Sequence, residues 1–495
     1  MGMLIQVKDI ELYYGTRMIL DGANCTFSHD QKIGVIGRNG AGKSTLCKII
    51  LGQEEPDDGQ VHFASDLRLA YLEQKDPFLP DELVLEFLLR YSGVFEWECE
   101  KMAARFGMND THMYMPVSAL SGGYQMRVKL TAMLLKDPNF LILDEPTNYL
   151  DLATLLFLER FLQEYEGSFL IVSHDREFLK KTCEHTLEVE QGQVTLYKGD
   201  VEAYLSYKNL QTEQKEQFNK NIERQKKHLQ SFVDRFGSKA SKASSAQSKM
   251  KQIAKLQTIE IAHPMSTVRI RMPEVPPKKG VAFKAEKLAI GYPDKRVAGN
   301  IQFQIDKGSR VAILGDNGQG KTTFLKTIST ELEPLSGSFE WGYGVSVGYY
   351  AQHVYQRLHD NDTVHESLEN LAHEDTPRQA ILDMAGSFLF GGNEIKKKVS
   401  VLSGGERARL CLAGLLLSRS DVLLLDEPTN HLDFETVEAL AMALKSYQGT
   451  VMFISHDRTF VNIVASTIVE VKDGKVSVYP GTYEEYVYYL ETMME

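Results

Sequence analysis

The sequence predicts an α/β protein: two like domains in tandem, joined by a helical-hairpin linker. Three observations carry the prediction. First, the 495-residue chain aligns with itself at a nearly constant offset. Lys43 pairs with Lys321, 278 residues on, while Ser121 and Ser403, Glu145 and Glu427, and His174 and His456 each pair 282 residues apart. A period this long means duplicated domains rather than a solenoid. Second, short apolar runs of the buried-strand type recur in both halves and end in glycine loops or acidic pairs. Third, a polar stretch free of Gly and Pro separates the halves and keeps its apolar residues near one helical face.

Taken in order, the first domain spans residues 1–205, the linker 206–279 and the second domain 280–495. Residues 32–36 and 310–314 read as buried strands, each running into a glycine loop and then a helix over 43–51 or 321–329. Further buried strands are expected at 141–143, 169–172, 423–425 and 452–454. In the linker, residues 202–232 place Phe218, Ile222 and Leu229 near one face, followed by Phe236. Met250, Ile253 and Leu256 repeat the pattern after a Ser/Ala/Lys-rich turn, which predicts an antiparallel helical hairpin. A first arm of about 30 residues reaches on the order of 45 Å.

Composition narrows the function classes. Apolar residues make up 43% of the chain, enough for packed cores. No stretch approaches ~18 uncharged apolar residues, so no membrane span is expected. The start lacks the basic flank and apolar core of a secretory signal. Cys25, Cys47, Cys99, Cys183 and Cys411 form no CxxC pair, which argues against a zinc site or disulfide framework and for a reducing, cytoplasmic setting. Between Lys208 and Lys255 twelve Lys/Arg face four Asp/Glu, a local +8 on a chain of net charge −12, so the remainder carries −20. One basic segment between acidic domains points to nucleic-acid phosphate as the partner class; a solvated lysine-rich spacer is the alternative.

The motifs point to nucleotide chemistry. Gly37-Arg38-Asn39-Gly40-Ala41-Gly42-Lys43-Ser44, followed by Thr45, matches a phosphate loop. So does Gly315-Asp316-Asn317-Gly318-Gln319-Gly320-Lys321-Thr322, followed by Thr323. Glycines let backbone N–H groups approach phosphate oxygens, the lysine contacts β/γ oxygens, and Ser44 or Thr322 can ligate Mg²⁺. Two apolar runs end in Asp144-Glu145 and Asp426-Glu427. The aspartates suit support of Mg²⁺, the glutamates the orientation or deprotonation of an attacking water. His174 and His456, each in Ser-His-Asp-Arg after an apolar run, are expected at a γ-phosphate. Gln74 and Gln352 are further candidates for Mg²⁺ and the water. Tyr14 and Tyr292, upstream of their loops, either stack on adenine or belong to the core. Ser121-Gly122-Gly123 and Ser403-Gly404-Gly405 complete the set, each between a phosphate loop and an Asp-Glu-Pro-Thr-Asn run.

This ordered constellation resembles the ATP-binding cassette (ABC) superfamily over both halves. The resemblance implies two ABC-type P-loop domains packed head to tail. Lys43 then faces Ser403-Gly404-Gly405, Lys321 faces Ser121-Gly122-Gly123, and Asp151 and Asp433 lie between the sites. It implies ATP and Mg²⁺ as cofactors, and a monomer that carries its own cassette dimer. Linker residues 231–243 and 247–253, with Tyr124 following the first signature, resemble the ABC-F subfamily of tandem-cassette ATPases that act on the ribosome. By that resemblance Arg235, Lys239, Lys242, Lys249 and Lys251 meet rRNA and tRNA near the peptidyl-transferase centre. Only 78 residues separate Lys43 from Ser121 and 82 separate Lys321 from Ser403, which leaves no room for the extra arm of many members. Two other readings compete: the ATPase subunit of a membrane transporter, and a DNA-maintenance ATPase. The basic hairpin disfavours the first, and the lack of zinc-ligand cysteines the second.

Overall fold

The computed structural model describes residues 2–493 except 39, 73–76, 121, 148–149, 237–247, 254–255, 257–268, 277–278, 352–357 and 431. Contacts divide the chain into two compact units: residues 1–198 with 268–495, and residues 199–267. The first unit contains both cassettes.

Each cassette is built around a six-stranded sheet. In the first the spatial order is Leu69–Leu72, Phe140–Asp144, Ser168–Val172, Lys32–Ile36, His185–Glu190 and Gln193–Tyr197. Neighbours are parallel except the last pair. Val347–Tyr350, Val422–Asp426, Thr450–Ile454, Arg310–Leu314, Thr467–Lys472 and Lys475–Tyr479 repeat that order in the second cassette. Every residue of Phe140–Asp144, Ser168–Val172, Val422–Asp426 and Thr450–Ile454 is buried. That is why these segments read as unbroken apolar runs: a parallel strand covered on both faces has no side that faces water.

A three-stranded antiparallel sheet covers one side of each parallel sheet. In the first cassette Met3–Tyr14 lies between Arg17–Ser28 and Asp58–Phe63; in the second Val281–Tyr292 lies between Lys295–Asp306 and Ser336–Trp341. The core between the two layers takes in Leu4, Ile10, Phe27, Leu46 and Ile142 in one cassette and Phe283, Ile301, Phe324 and Met452 in the other. The phosphate-loop helices, Lys43–Ile50 and Lys321–Ile328, run out of the central strands as the sequence predicts, each one residue shorter than expected. The signature segments begin the helices Gly122–Leu134 and Gly404–Leu417. In the second unit residues 248–253 are helical, the expected turn at 237–247 lies outside the described residues, and the helix Val201–Phe236 runs 36 residues. At 1.5 Å per residue that is about 54 Å. Among the described residues no helix is long and apolar enough to cross a membrane.

Candidate functional site

Both phosphate loops are held by the same backbone device. Gly37 has φ 149° and Gly315 has φ 141°, and a Cβ on either would sit 2.4 Å or 2.1 Å from the carbonyl oxygen of Val189 or Val471. Only glycine fits such an approach. Gly42 and Gly320 then begin the helices in left-handed conformation with no side-chain cap, so the first helical N–H groups are left for a ligand. The buried Lys43 ammonium donates to the carbonyls of Gly37 (2.7 Å) and Arg38 (3.2 Å), and Lys321 does the same to Gly315 (2.7 Å) and Asp316 (3.0 Å). Each lysine thus spans the loop that a phosphate would fill.

The acidic pairs close the far side. Ser44 Oγ donates to Asp144 Oδ1 at 3.1 Å, and Asp426 has the corresponding bond from Thr322. A hydroxyl beside a carboxylate is the oxygen donor pair that Mg²⁺ accepts. Asp426 Oδ2 is buried with no hydrogen-bond partner among the described residues, so the donor set fits a cation. Glu145 and Glu427 follow with φ 50° and 52°, a left-handed conformation that costs a non-glycine residue energy. His174 Nε2 lies 3.2 Å from Glu145 Oε1, and His456 Nε2 lies 3.1 Å from Glu427 Oε1. Burial pushes both glutamates up to about 8 and both histidines down to about 3. Burial also lowers Lys43 and Lys321 against the pull of the neighbouring carboxylates.

The two sites share one cavity of about 810 Å³. Its walls include Gly40, Gly42, Lys43, Ser44, Thr45, Glu145 and His174 from the first cassette and Gly318, Gly320, Lys321, Thr322, Thr323, Asp426, Glu427 and His456 from the second. Gly405 and Arg409, from the second signature helix, line it as well. On the other side, a Cβ on Gly122 would lie 4.0 Å from Asn317 Nδ2, which sets the first signature against the second phosphate loop. Asp151 Oδ2 accepts the Asn317 backbone N–H at 3.0 Å while its Oδ1 caps the helix Leu152–Glu164. Asp433 caps Phe434–Ser446 in the same way and lies close enough to Lys43 and His174 to act on their charge.

Other expected residues lie further out. Ser403 is exposed and caps its helix with Glu406, accepting from its N–H at 3.3 Å and donating to its carboxylate at 2.7 Å. Gly404 and Gly123 begin the signature helices, and neither is among the residues that line the cavity. Tyr14 and Tyr292 end long strands, 49% and 45% exposed, so neither belongs to the core. The Tyr14 hydroxyl donates to Glu54 and interacts with Thr45, which puts its ring beside the phosphate-loop helix. Asn39, Gln74, Ser121, Gln352, Lys239 and Lys242, and the side chain of Arg235, lie outside the described residues. The sequence reading missed Arg409, Thr147, Thr429 and Asn430, which line the cavity. Thr147 and Thr429 had a signal in the repeated Pro-Thr-Asn run; Arg409 had none.

Paired phosphate loops that open on one cavity lined by both halves define a tandem nucleotide-binding cassette protein. A family model described as ABC transporter matches residues 20–148 and 298–430, and a second of the same description matches 187–271. The chain is 32% identical to the probable ATP-binding protein YheS of Escherichia coli K12, covering 99% of this chain and 82% of that one. It is 33% identical to the probable ATP-binding protein YbiT of Escherichia coli O157:H7 (97% and 98%). It is 33% identical to the putative ATP-binding protein YdiF of Bacillus subtilis (98% and 82%). Among solved structures, an archaeal ribosome recycling factor in complex with a ribosomal stalk protein shares the fold at TM-score 0.66 and 22% identity, covering 97% of this chain and 92% of that one. The chain belongs to the ATP-binding cassette family, in its ABC-F subfamily of tandem-cassette ATP-binding proteins.

Proposed function

We propose that the protein hydrolyses ATP to ADP and phosphate at two composite sites. In this reading its ATP-closed form binds the ribosome, placing the basic linker near tRNA and the peptidyl-transferase centre. Hydrolysis releases it, and the cycle regulates or rescues translation. One observation supports the composite sites above all: Asn317 of the second phosphate loop meets Gly122 and Asp151 of the first cassette, and Gly405 of the second cassette lines the cavity that holds Lys43. ATP bound there touches both halves, and losing its γ-phosphate removes part of that contact. This is the differential affinity that a two-state switch needs.

Glu145 and Glu427 orient or deprotonate the water, and His174 and His456 hold the γ-phosphate side. Tyr14 and Tyr292 offer rings to adenine. Ser44 with Asp144, and Thr322 with Asp426, would hold Mg²⁺, joined by Gln74 and Gln352. The ion neutralises charge on the leaving phosphate when bound. The ribosome assignment rests on the linker: Lys215, Lys220, Arg224 and Lys227 are exposed along Val201–Phe236, and Lys251 is exposed beyond it. Such a surface suits RNA phosphate, while acidic cassettes suit repulsion elsewhere. The test is co-sedimentation of the Glu145→Gln/Glu427→Gln chain with ribosomes. It is expected to pellet with ATP and stay soluble without it. Equal pelleting with and without ATP, or none in either case, contradicts the proposal.

A further inference from the structure

A buried ion pair crosses the cassette interface on one side. Arg458 stands two residues after His456 and is 4% exposed. Its guanidinium donates to Glu159, on the helix Leu152–Glu164 of the first cassette, with both side chains 5% exposed. Arg458 Nε also lies 4.0 Å from Asp175 Oδ2. Within its own cassette Glu159 has Lys181 at 3.7 Å. In the repeat, Arg458 corresponds to Arg176, but Glu159 corresponds to Ala441, which offers no acceptor. Arg176 meets Glu438 instead, one helical turn earlier, at 3.4 Å with side chains 24% and 55% exposed.

The position of the pair gives it a consequence. Helix Leu152–Glu164 starts at Asp151, whose carboxylate holds the Asn317 N–H of the second phosphate loop. Two turns further along, the same helix carries Glu159, which holds Arg458, two residues after His456. One rigid helix of the first cassette therefore grips two loops of the Lys321 site at once. We propose that Arg458 and Glu159 form a one-sided latch that makes the two ATP sites unequal: the Lys321 site is held closed, and the Lys43 site opens first. Arg458 is then a positioning residue that acts through the His456 loop. On opening, Glu159 keeps Lys181 as partner, so the separated halves do not strand a lone buried carboxylate. The proposal rests on the composite ATP sites above.

The experiment follows nucleotide at each site in the full chain with Glu145→Gln/Glu427→Gln. The protein is loaded with azido-ATP and chased with excess ATP. The remaining label is cross-linked at intervals and mapped to peptides of each cassette. Label at the Lys321 site should outlast label at the Lys43 site. Glu159→Gln or Arg458→Gln should speed its loss there by about tenfold, the scale expected for breaking part of a buried ion pair. The Lys43-site lifetime should change little. Arg458→Lys should restore part of the retention, and Arg176→Gln should have a small effect. Equal lifetimes at the two sites, or variants that shorten both alike, overturn the latch. So does a lowered unfolding temperature without nucleotide that leaves the Lys321-site lifetime unchanged, because the pair is then a static strut. Retention at neither site would instead remove the composite-site reading beneath it.

Discussion

At the scale of single residues, the site places charge where water is scarce. Glu145 and Glu427 sit in left-handed backbone at strand ends, each with a histidine nitrogen just over 3 Å away. Replacing both glutamates by glutamine should lower ATP hydrolysis by about 10²–10⁴-fold, the usual contribution of a positioned base, while leaving ATP binding intact. A phosphate-release assay beside a nucleotide-binding titration checks this. Hydrolysis at the wild-type rate would mean both residues have been misassigned. Burial also ties these residues to stability. Both carboxyls are raised from an ordinary 4.5 to about 8, so the folded state favours their neutral form. Their contribution is complete below pH 4.5 and fades as pH rises through 8. Without nucleotide, the double glutamine variant should therefore gain thermal stability over the wild type across that window and hold the gain above it. A difference independent of pH would contradict the burial argument. These residues were legible because each follows a strand buried on both faces and recurs in both halves. Arg409 was not: it reaches the cavity from the helix Gly404–Leu417, and no local pattern marks which way a helix turns in the fold.

At the scale of elements, the parallel strands and the phosphate-loop helices were readable from apolar runs and glycine spacing. The antiparallel sheets were not. Met3–Tyr14 pairs with Arg17–Ser28 through repeated register shifts, at Val7/Ile10 and again at Ile10/Leu12 and Leu12/Tyr13. Each shift moves the buried side chains out of the period of two that sequence reasoning looks for. The glycine loops are the stiffest constraint. Gly37→Ala or Gly315→Ala would force a Cβ against the carbonyl of Val189 or Val471 in a backbone region that alanine avoids. Each should cost about 2 kcal/mol or more and weaken nucleotide binding at its own loop. Denaturant unfolding and ATP titration report both effects. Unchanged stability would show that the loop relaxes away from the contact.

At the scale of the whole molecule, charge is divided between the linker and the cassettes. A linker segment of +8 stands on a remainder of −20. Changing Arg235, Lys239, Lys242, Lys249 and Lys251 to glutamine should leave basal ATP hydrolysis nearly intact. It should also lower ribosome affinity and flatten its dependence on salt, because fewer phosphate counterions are released. A salt titration of ribosome co-sedimentation in the hydrolysis-dead background reads the slope; an unchanged slope makes the linker a solvated spacer. The central claim is that each site is built from both cassettes, and photolabelling with azido-ATP tests it most directly. If it holds, Ser403→Arg abolishes label at the loop of Lys43, as Lys43→Ala does, and Ser121→Arg abolishes label at the loop of Lys321. If Ser403→Arg instead empties the loop of Lys321 in its own cassette, the head-to-tail account is wrong.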